Sequence, residues 1–480
     1  MNSLKYVLPG LALGLLAVSC KPDLEAPATK TAPLDLSRYV AAGDYLTAGF
    51  ANGGLTRENQ EFAYPNILAQ QFAQAGATTD FVQPYFSSGN GTQTLTLTGL
   101  NADGVPQFTG TTEFEKFTRA ACSTGPAGIY EQYSNSPAQT AAIRNFGVPG
   151  LLITQIRKAG LGNDANAGTP ADFNPYFERL LPAGDDRTYA EVVSAANPTF
   201  FTLWIGMADV VNYASSGASC GPVLPNSTIF RNEVTVLLDS LSRNRKQADN
   251  RFRSTRKGVI CNLPSVRDLP LTRLANTVEL EKKYQALYGS QVNIWINKRD
   301  RQFSPVDYSV VKVSFDDVVL LKGLNSIGRE VTVTVGGVPQ QVRHGLSNLS
   351  PLTNEEVLDA TEINEIESRI ANYNSEINRL LTPATSAYRG QVILADMKDL
   401  FTNLKNSINY NGVIFNLKPL TGGISSLDLF SFSPRGQALL ANKIIQSMNR
   451  EVAPKDPLFT GFGTRILEVD ANNYPLLRTE

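Results

Sequence analysis

Arg38-Tyr39-Val40-Ala41-Ala42-Gly43-Asp44-Tyr45-Leu46-Thr47-Ala48-Gly49-Phe50 is the stretch on which the reading of this chain turns. Tyr39 to Ala42 is an apolar run of strand length, and it breaks at Gly43. The chain then turns through Asp44 and Tyr45 into a short segment closed by Gly49. A strand that ends in a tight glycine turn is where α/β enzymes place a nucleophile. Here the residue at that turn is a tyrosine, Tyr45.

Outward from this stretch, further short apolar runs have strand length. They are Phe200 to Ile205, ending at Gly206, then Gly258 to Cys261, and Gln391 to Ala395. Helical spacing lies between them. Tyr64 to Ala75 carries Pro65 in its first turn and is stopped by Gly76. Ile229 to Asn244 repeats apolar residues at Val234, Leu237, Leu238 and Leu241. An apolar helix start is expected at Leu151, after Asn145-Phe146-Gly147-Val148-Pro149-Gly150. Ile363, Ile366, Ile370, Tyr373, Ile377 and Leu380 form one stripe of a long helix, and Thr353 with Glu356 reads as its capping box. Ser433 and Pro434 open a last helix, and the tail from residue 454 to 480 has no strong periodicity. Strands alternating with helices predict an α/β fold: a mostly parallel sheet with helices on both faces, ligands binding at the carboxyl ends of the strands. Residues 292–342 break that rhythm. Val331-Thr332-Val333-Thr334-Val335, a Gly336-Gly337 turn and a return through Val338 are a hairpin signature, read as an inserted β element.

Composition narrows the partners. Of 480 residues, 42% are hydrophobic and 18% charged, which suits a folded chain, and a net charge of −1 argues against nucleic acid. A single histidine, His344, leaves one candidate for any imidazole base and excludes a histidine-based metal cluster. No cofactor is expected. His344 lies beside the hairpin and is expected in a surface loop. The basic run from Arg243 to Lys257 is read as a solvated helix end, with anionic headgroups as the sharper alternative.

The amino terminus reads as targeting sequence. Val7 to Val18 is apolar but too short for an ordinary spanning helix. Followed by Ser19-Cys20, it resembles a bacterial lipoprotein signal. That resemblance implies a signal peptide over 1–19, lipid on Cys20, and a membrane-anchored protein of the Gram-negative envelope, with the outer membrane as its expected place. Residues 20–36, rich in Pro, Ala and Thr, read as a tether. In an exported chain Cys122 and Cys220, both in loop-like sequence, are the expected disulfide pair, and Cys261 is expected as a buried thiol.

Four blocks between Arg38 and Met448 resemble the SGNH (GDSL-type) ester hydrolases. Gly43-Asp44-Tyr45-Leu46-Thr47-Ala48-Gly49 is similar to the first block, with Tyr45 at the nucleophile's position. Asn145 to Gly150 is similar to the second, with Gly150 at the oxyanion glycine. Gly206-Met207-Ala208-Asp209 is similar to the third, with Ala208 at the oxyanion asparagine. Asp428-Leu429-Phe430-Ser431 before Ser433-Pro434-Arg435-Gly436 is similar to the last. There Asp428 is the triad carboxylate, and Ser431 stands where the histidine belongs. The resemblance implies one flavodoxin-like, three-layer α/β/α domain over residues 37–453.

The departures fall on the atoms that do chemistry. Losing a triad nucleophile or base costs about six orders of magnitude in turnover in a serine hydrolase. Losing an oxyanion side-chain donor costs roughly two to three decades. The expectation is a lipid-anchored pseudoenzyme that binds a lipid, acyl or glycan ligand or docks an outer-membrane protein. The alternative is an active carboxylic-ester hydrolase with a rearranged site. For Tyr45 the expectation is a ring that fills the vacated cavity, and for Asp44 a structural role on backbone N–H groups.

Overall fold

The strand that opens the fold, β1 (Tyr39–Gly43), is buried along its whole length. It lies between two parallel partners. On one side β2 (Asn145–Gly147) pairs Gly43 with Gly147; on the other β3 (Phe200–Trp204) pairs Gly43 with Trp204. Next come β4 (Lys257–Cys261) and β5 (Val392–Ala395), also parallel. The computed structural model describes residues 34–476, except 79, 90, 93, 102–103, 110–129, 135, 168, 170, 220–222, 243–255, 303–306 and 454. Cys20, Cys122, Cys220 and most of the basic run lie outside the described residues. Cys261 is a buried free thiol, which burial pushes well above its usual range.

The strand order is β2-β1-β3-β4-β5. This is a doubly wound order, and the direction of winding reverses between β1 and β3. Strands buried on both faces read as continuous apolar runs, so the sequence announces them without alternation. Helices α1 (Tyr64–Gln74) and α7 (Pro434–Asn449) pack together over one face. Phe72 stacks edge-on against Tyr39 and Phe200 there, and Tyr64 lies against Trp204. Helices α2 (Tyr189–Ala195), α4 (Ser227–Ser242) and α6 (Ala360–Leu381) pack together as a second group. Between them in sequence lie α3 (Met207–Ser215), which leaves the end of β3, and α5 (Thr277–Tyr288). The main core takes in Leu36, the last residue of the expected tether. It also takes in Phe462, Ile466 and Val469, although the stretch after residue 454 has little regular structure. Among the described residues no helix is long and apolar enough to cross a membrane.

Two local expectations are corrected. No helix starts at Leu151; a single 3₁₀ turn, Ile153–Gln155, forms instead. The Thr353–Glu356 box does form, but it caps a 3₁₀ turn. The long helix α6 starts later and is capped by Asp359, whose carboxylate accepts from Thr361 N and Glu362 N. Asp359 can do this because its backbone is extended, as an N-cap must be.

The inserted element is larger than its hairpin. The hairpin itself, Glu330–Val335 with Val338–Arg343, pairs as the alternation requires. A second hairpin, Trp295–Arg299 with Tyr308–Lys312, joins it. Helix α5 is part of the same unit. Leu280, Tyr284, Ile294, Ile296, Leu324, Ile327 and Leu352 form a core of their own.

Arg299 fastens this insertion to the main body. Its side chain is fully buried and donates to Glu365 Oε2 at 2.9 Å, to Tyr213 Oη at 3.1 Å and to the Ala218 carbonyl. Burial and the nearby Asp359 charge push Glu362 up to about 9, so that carboxyl keeps its proton at neutral pH. Glu362 Oε1 lies 3.3 Å from Arg299, and Glu365 Oε2 is the nearer carboxylate oxygen at 2.9 Å. Removing one partner of a buried pair strands the other without solvation, which costs about 3–5 kcal/mol. Arg299→Ala should lower the unfolding free energy by about that much. Denaturant unfolding followed by the fluorescence of Trp204 and Trp295 would measure it, and an unchanged midpoint would contradict the assignment.

Candidate functional site

The site candidates lie at the carboxyl edge of the sheet, where β1 and β3 diverge. The register brings Gly43, Gly147 and Trp204 level, so the turns after them share one edge. Two glycines are required there by close approach. A Cβ on Gly43 would sit 2.2 Å from the Trp204 carbonyl oxygen, and one on Gly147 would sit 2.1 Å from Ala48 N. Tyr189 reaches in from α2, accepts from Gly43 N at 2.9 Å and donates to the Phe146 carbonyl at 2.6 Å.

Asp44 is buried at the end of β1. Its Oδ2 accepts from Gly206 N at 3.1 Å and from Ala208 N at 3.0 Å, at the start of α3. The Ala208 side chain offers no donor, and its backbone N–H is already committed to Asp44. Burial pushes the Asp44 carboxyl up to about 7, against the pull of those backbone bonds. Asp209, next in sequence, is also buried, and its Oδ2 accepts from Ile153 N at 3.0 Å. Burial first, and the charge of Asp44 as well, push it to about 7. The two carboxyls thus hold three turns together: the one after β1, the one after β2 and the start of α3.

Tyr45 follows Asp44 and is fully buried. Its ring meets Phe50 at 4.9 Å and Phe430 at 5.0 Å between centroids, both edge-on. Its hydroxyl donates to Asn212 Oδ1 at 2.9 Å. Burial, followed by the charges of Asp44 and Asp428, pushes the phenol well above its ordinary range. A phenolate nucleophile is disfavoured by all three. Asn212 is the partner that sequence reading missed. It lies four residues after Ala208 and so on the same helix face, which was the one available signal.

The last block closes over this cluster. Asp428 Oδ1 accepts from Phe430 N at 3.1 Å and Ser431 N at 2.8 Å. Its Oδ2 accepts from Gly53 N at 2.9 Å and from Ser431 Oγ at 2.5 Å. Both carboxylate oxygens are occupied. The Ser431 hydroxyl donates to Asp428 and is fully buried. Asn52 Oδ1 accepts from Ser426 Oγ and Leu427 N, which ties the same loop to the turn after β1. Gly150 sits in the turn after β2, with Val148 N bonded to the Gly43 carbonyl at 3.0 Å. The structure therefore gathers Asp44, Tyr45, Ala208, Asp428 and Ser431 around one edge, packed against one another.

His344 is not at that edge. It lies in the insertion and is largely buried, which corrects the surface-loop expectation. The chain has no second imidazole. Among the described residues no group of three or more His, Cys, Asp or Glu side chains could hold a metal ion. Behind β2 a small polar cavity is bounded by Gln60, Gln83, Asn145, Tyr176 and Arg179. Arg179 spends its guanidinium on the Pro84, Tyr85 and Glu131 carbonyls. Comparison of the chain with protein-family models, curated proteins and solved structures finds no match.

Two aspartates pushed from an ordinary value near 3.8 to about 7 give a definite pH dependence. Between those values the folded chain holds protons that the unfolded chain has released. The stability they contribute is complete below about pH 4 and is lost as pH rises through 7. The urea midpoint should be higher at pH 5 than at pH 8, and Asp44→Asn should shrink that difference. A midpoint that rises toward pH 8 would contradict the assignment.

Proposed function

We propose that the chain is a lipid-anchored envelope protein on an SGNH-hydrolase-like scaffold whose hydrolase-type edge is inert, and that it acts by binding through its surface. The observation that carries this reading is the fate of three groups. The residue at the nucleophile position is a buried phenol bonded to Asn212. The group at the oxyanion position is a methyl whose backbone N–H serves Asp44. The hydroxyl at the base position donates to the one surviving carboxylate. A serine mechanism starts with a base that takes the nucleophile's proton, and a donor aimed at the developing oxyanion accelerates it. None of the three can serve, and the Tyr45 ring is packed between Phe50 and Phe430.

Strand order supports the scaffold part of the reading, because the β1–β3 divergence is where doubly wound sheets bind ligands. The four sequence blocks meet there. The anchor rests on the segment ending at Cys20. With the edge packed shut, an outer-membrane protein partner fits the reading better than a lipid, acyl or glycan ligand held in the cleft. Residues exposed on the insertion, such as Val310, Phe315 and Val338, offer apolar surface for such a contact.

Two measurements test the proposal. Tyr45→Phe and Ser431→Ala should leave any hydrolysis of p-nitrophenyl acetate by the purified chain unchanged, whereas a tenfold loss in either would contradict an inert edge. Metabolic labelling with an alkyne fatty acid should mark the wild-type protein and fail on Cys20→Ser. Equal labelling of both would contradict the anchor.

A further inference from the structure

The one imidazole in the chain belongs to a hydrogen-bonded relay that the sheet edge does not use. His344 Nδ1 lies 2.9 Å from Ser350 Oγ, and His344 Nε2 lies 2.9 Å from Glu356 Oε2. Three residue types that make a serine nucleophile are thus chained in order: hydroxyl, imidazole, carboxylate. They lie in the insertion, with its separate core, and their chemistry is independent of the sheet edge.

The proton positions follow from the bonding. Glu356 also accepts from Thr353 N at 2.8 Å, from Thr353 Oγ1 at 3.0 Å and from Ser326 Oγ at 2.5 Å. Burial pushes the Glu356 carboxyl up, but the bonds from Ser326, Thr353 and His344 outweigh it and leave the group below its ordinary range. Glu356 is therefore an ionised acceptor, and His344 Nε2 must carry a proton toward it. In the neutral imidazole Nδ1 is then the bare nitrogen, and the bond to Ser350 has the serine donating. That tautomer is the one a general base needs.

Backbone bonds hold the geometry. His344 N donates to the Arg329 carbonyl and Gly328 N to the His344 carbonyl, both at 2.8 Å, extending the hairpin past Arg343. Gly345 N donates to the Ser350 carbonyl at 2.7 Å, and Ser350 N to the Ser347 carbonyl at 3.0 Å. The imidazole is nine-tenths buried, whereas Ser350 is half-buried and follows Leu349, which is 44% exposed. The base is therefore buried, while the serine beside it is only partly so.

We propose that Ser350, His344 and Glu356 form a serine-nucleophile centre for small carboxylic esters, with Ser350 Oγ attacking, His344 Nδ1 taking its proton and Glu356 fixing the imidazole. The Ser350 Oγ–carbonyl carbon bond forms as the proton passes to Nδ1. The carbon–oxygen bond to the leaving group then breaks, and the departing alkoxide takes that proton and leaves as the alcohol. Water, deprotonated by the same nitrogen, cleaves the acyl-Ser350 ester to the acid and restores the serine. General-base assistance of this kind contributes about 10²–10⁴-fold.

The test is a fluorophosphonate reacted with the full-length chain, read by intact mass and peptide mapping. Ser350 Oγ would bond to phosphorus, fluoride would leave, and His344 would take the proton. The expected result is one phosphonyl group per chain, on Ser350, absent in Ser350→Ala and formed at least about a hundredfold more slowly in His344→Gln. Should His344→Gln fail to fold, the wild-type chain still decides, because Ser347 in the same loop has no imidazole and should stay unlabelled. An unlabelled chain, equal labelling of Ser347, or a wild-type rate in folded His344→Gln would overturn the proposal. An unlabelled chain would overturn this proposal and leave the inert edge standing, whereas an adduct on Ser431 would overturn the inert edge, so the two readings fail by different results.

Discussion

The Asp44 carboxyl, bonded to the N–H groups of Gly206 and Ala208, is the interaction on which the rest of the carboxyl edge depends. It joins the end of β1 to the start of α3 across the point where the sheet reverses its winding. An edge of this kind usually stays open, because strand ends and helix starts leave N–H groups unpaired and ready for a ligand. Here a side chain from the neighbouring strand takes two of them. Asp209 does the same for the turn after β2, through Ile153 N. Asp428 closes the remaining side by occupying both its oxygens with Gly53, Phe430 and Ser431. Those backbone donors are satisfied internally, and the Tyr45, Phe50 and Phe430 rings pack against one another beside them.

That closure has an electrostatic consequence. Desolvation favours the neutral form of each carboxyl, which is why Asp44 and Asp209 are pushed toward neutrality. A carboxyl near neutral charge still accepts hydrogen bonds but no longer offers a full charge to activate a neighbour. Tyr45 is caught in the same apolar surroundings, and its phenol is held protonated. Packing and protonation therefore agree, and the site serves as a structural joint. The insertion shows the opposite case. Around Glu356 several hydroxyl and amide donors outweigh burial, so the carboxylate stays ionised and can orient an imidazole.

Much of the frame was legible in the residues. The runs at Tyr39, Phe200, Gly258 and Gln391 became four of the five parallel strands because buried strands must be continuously apolar. The Val331–Val335 alternation and the Gly336-Gly337 turn gave the hairpin. Asp44 was legible too, as a short carboxyl after a strand with backbone donors nearby, and Tyr45 as a cavity-filling ring. What escaped were contacts with no local signature. Asn212 sits on an ordinary helix face, and its role exists only because Tyr45 comes to it from 167 residues away. The capping box at Thr353 was real but headed a single turn, since the stronger cap at Asp359 stood a few residues on. His344 looked solvent-facing beside a hairpin, and its burial depends on a loop that folds Ser350 and Glu356 back over it.

A carboxyl edge tied in this way is a closed joint that opens only when the molecule unfolds. Hydrogen exchange at the Gly206 and Ala208 amides can be read by mass spectrometry across peptides spanning 204–212. If Asp44 holds those amides as described, they should exchange no faster than the amides of β1 and β3, and only through global unfolding. Exchange many-fold faster than the neighbouring strands would show an edge that opens on its own and that Asp44 does not hold shut.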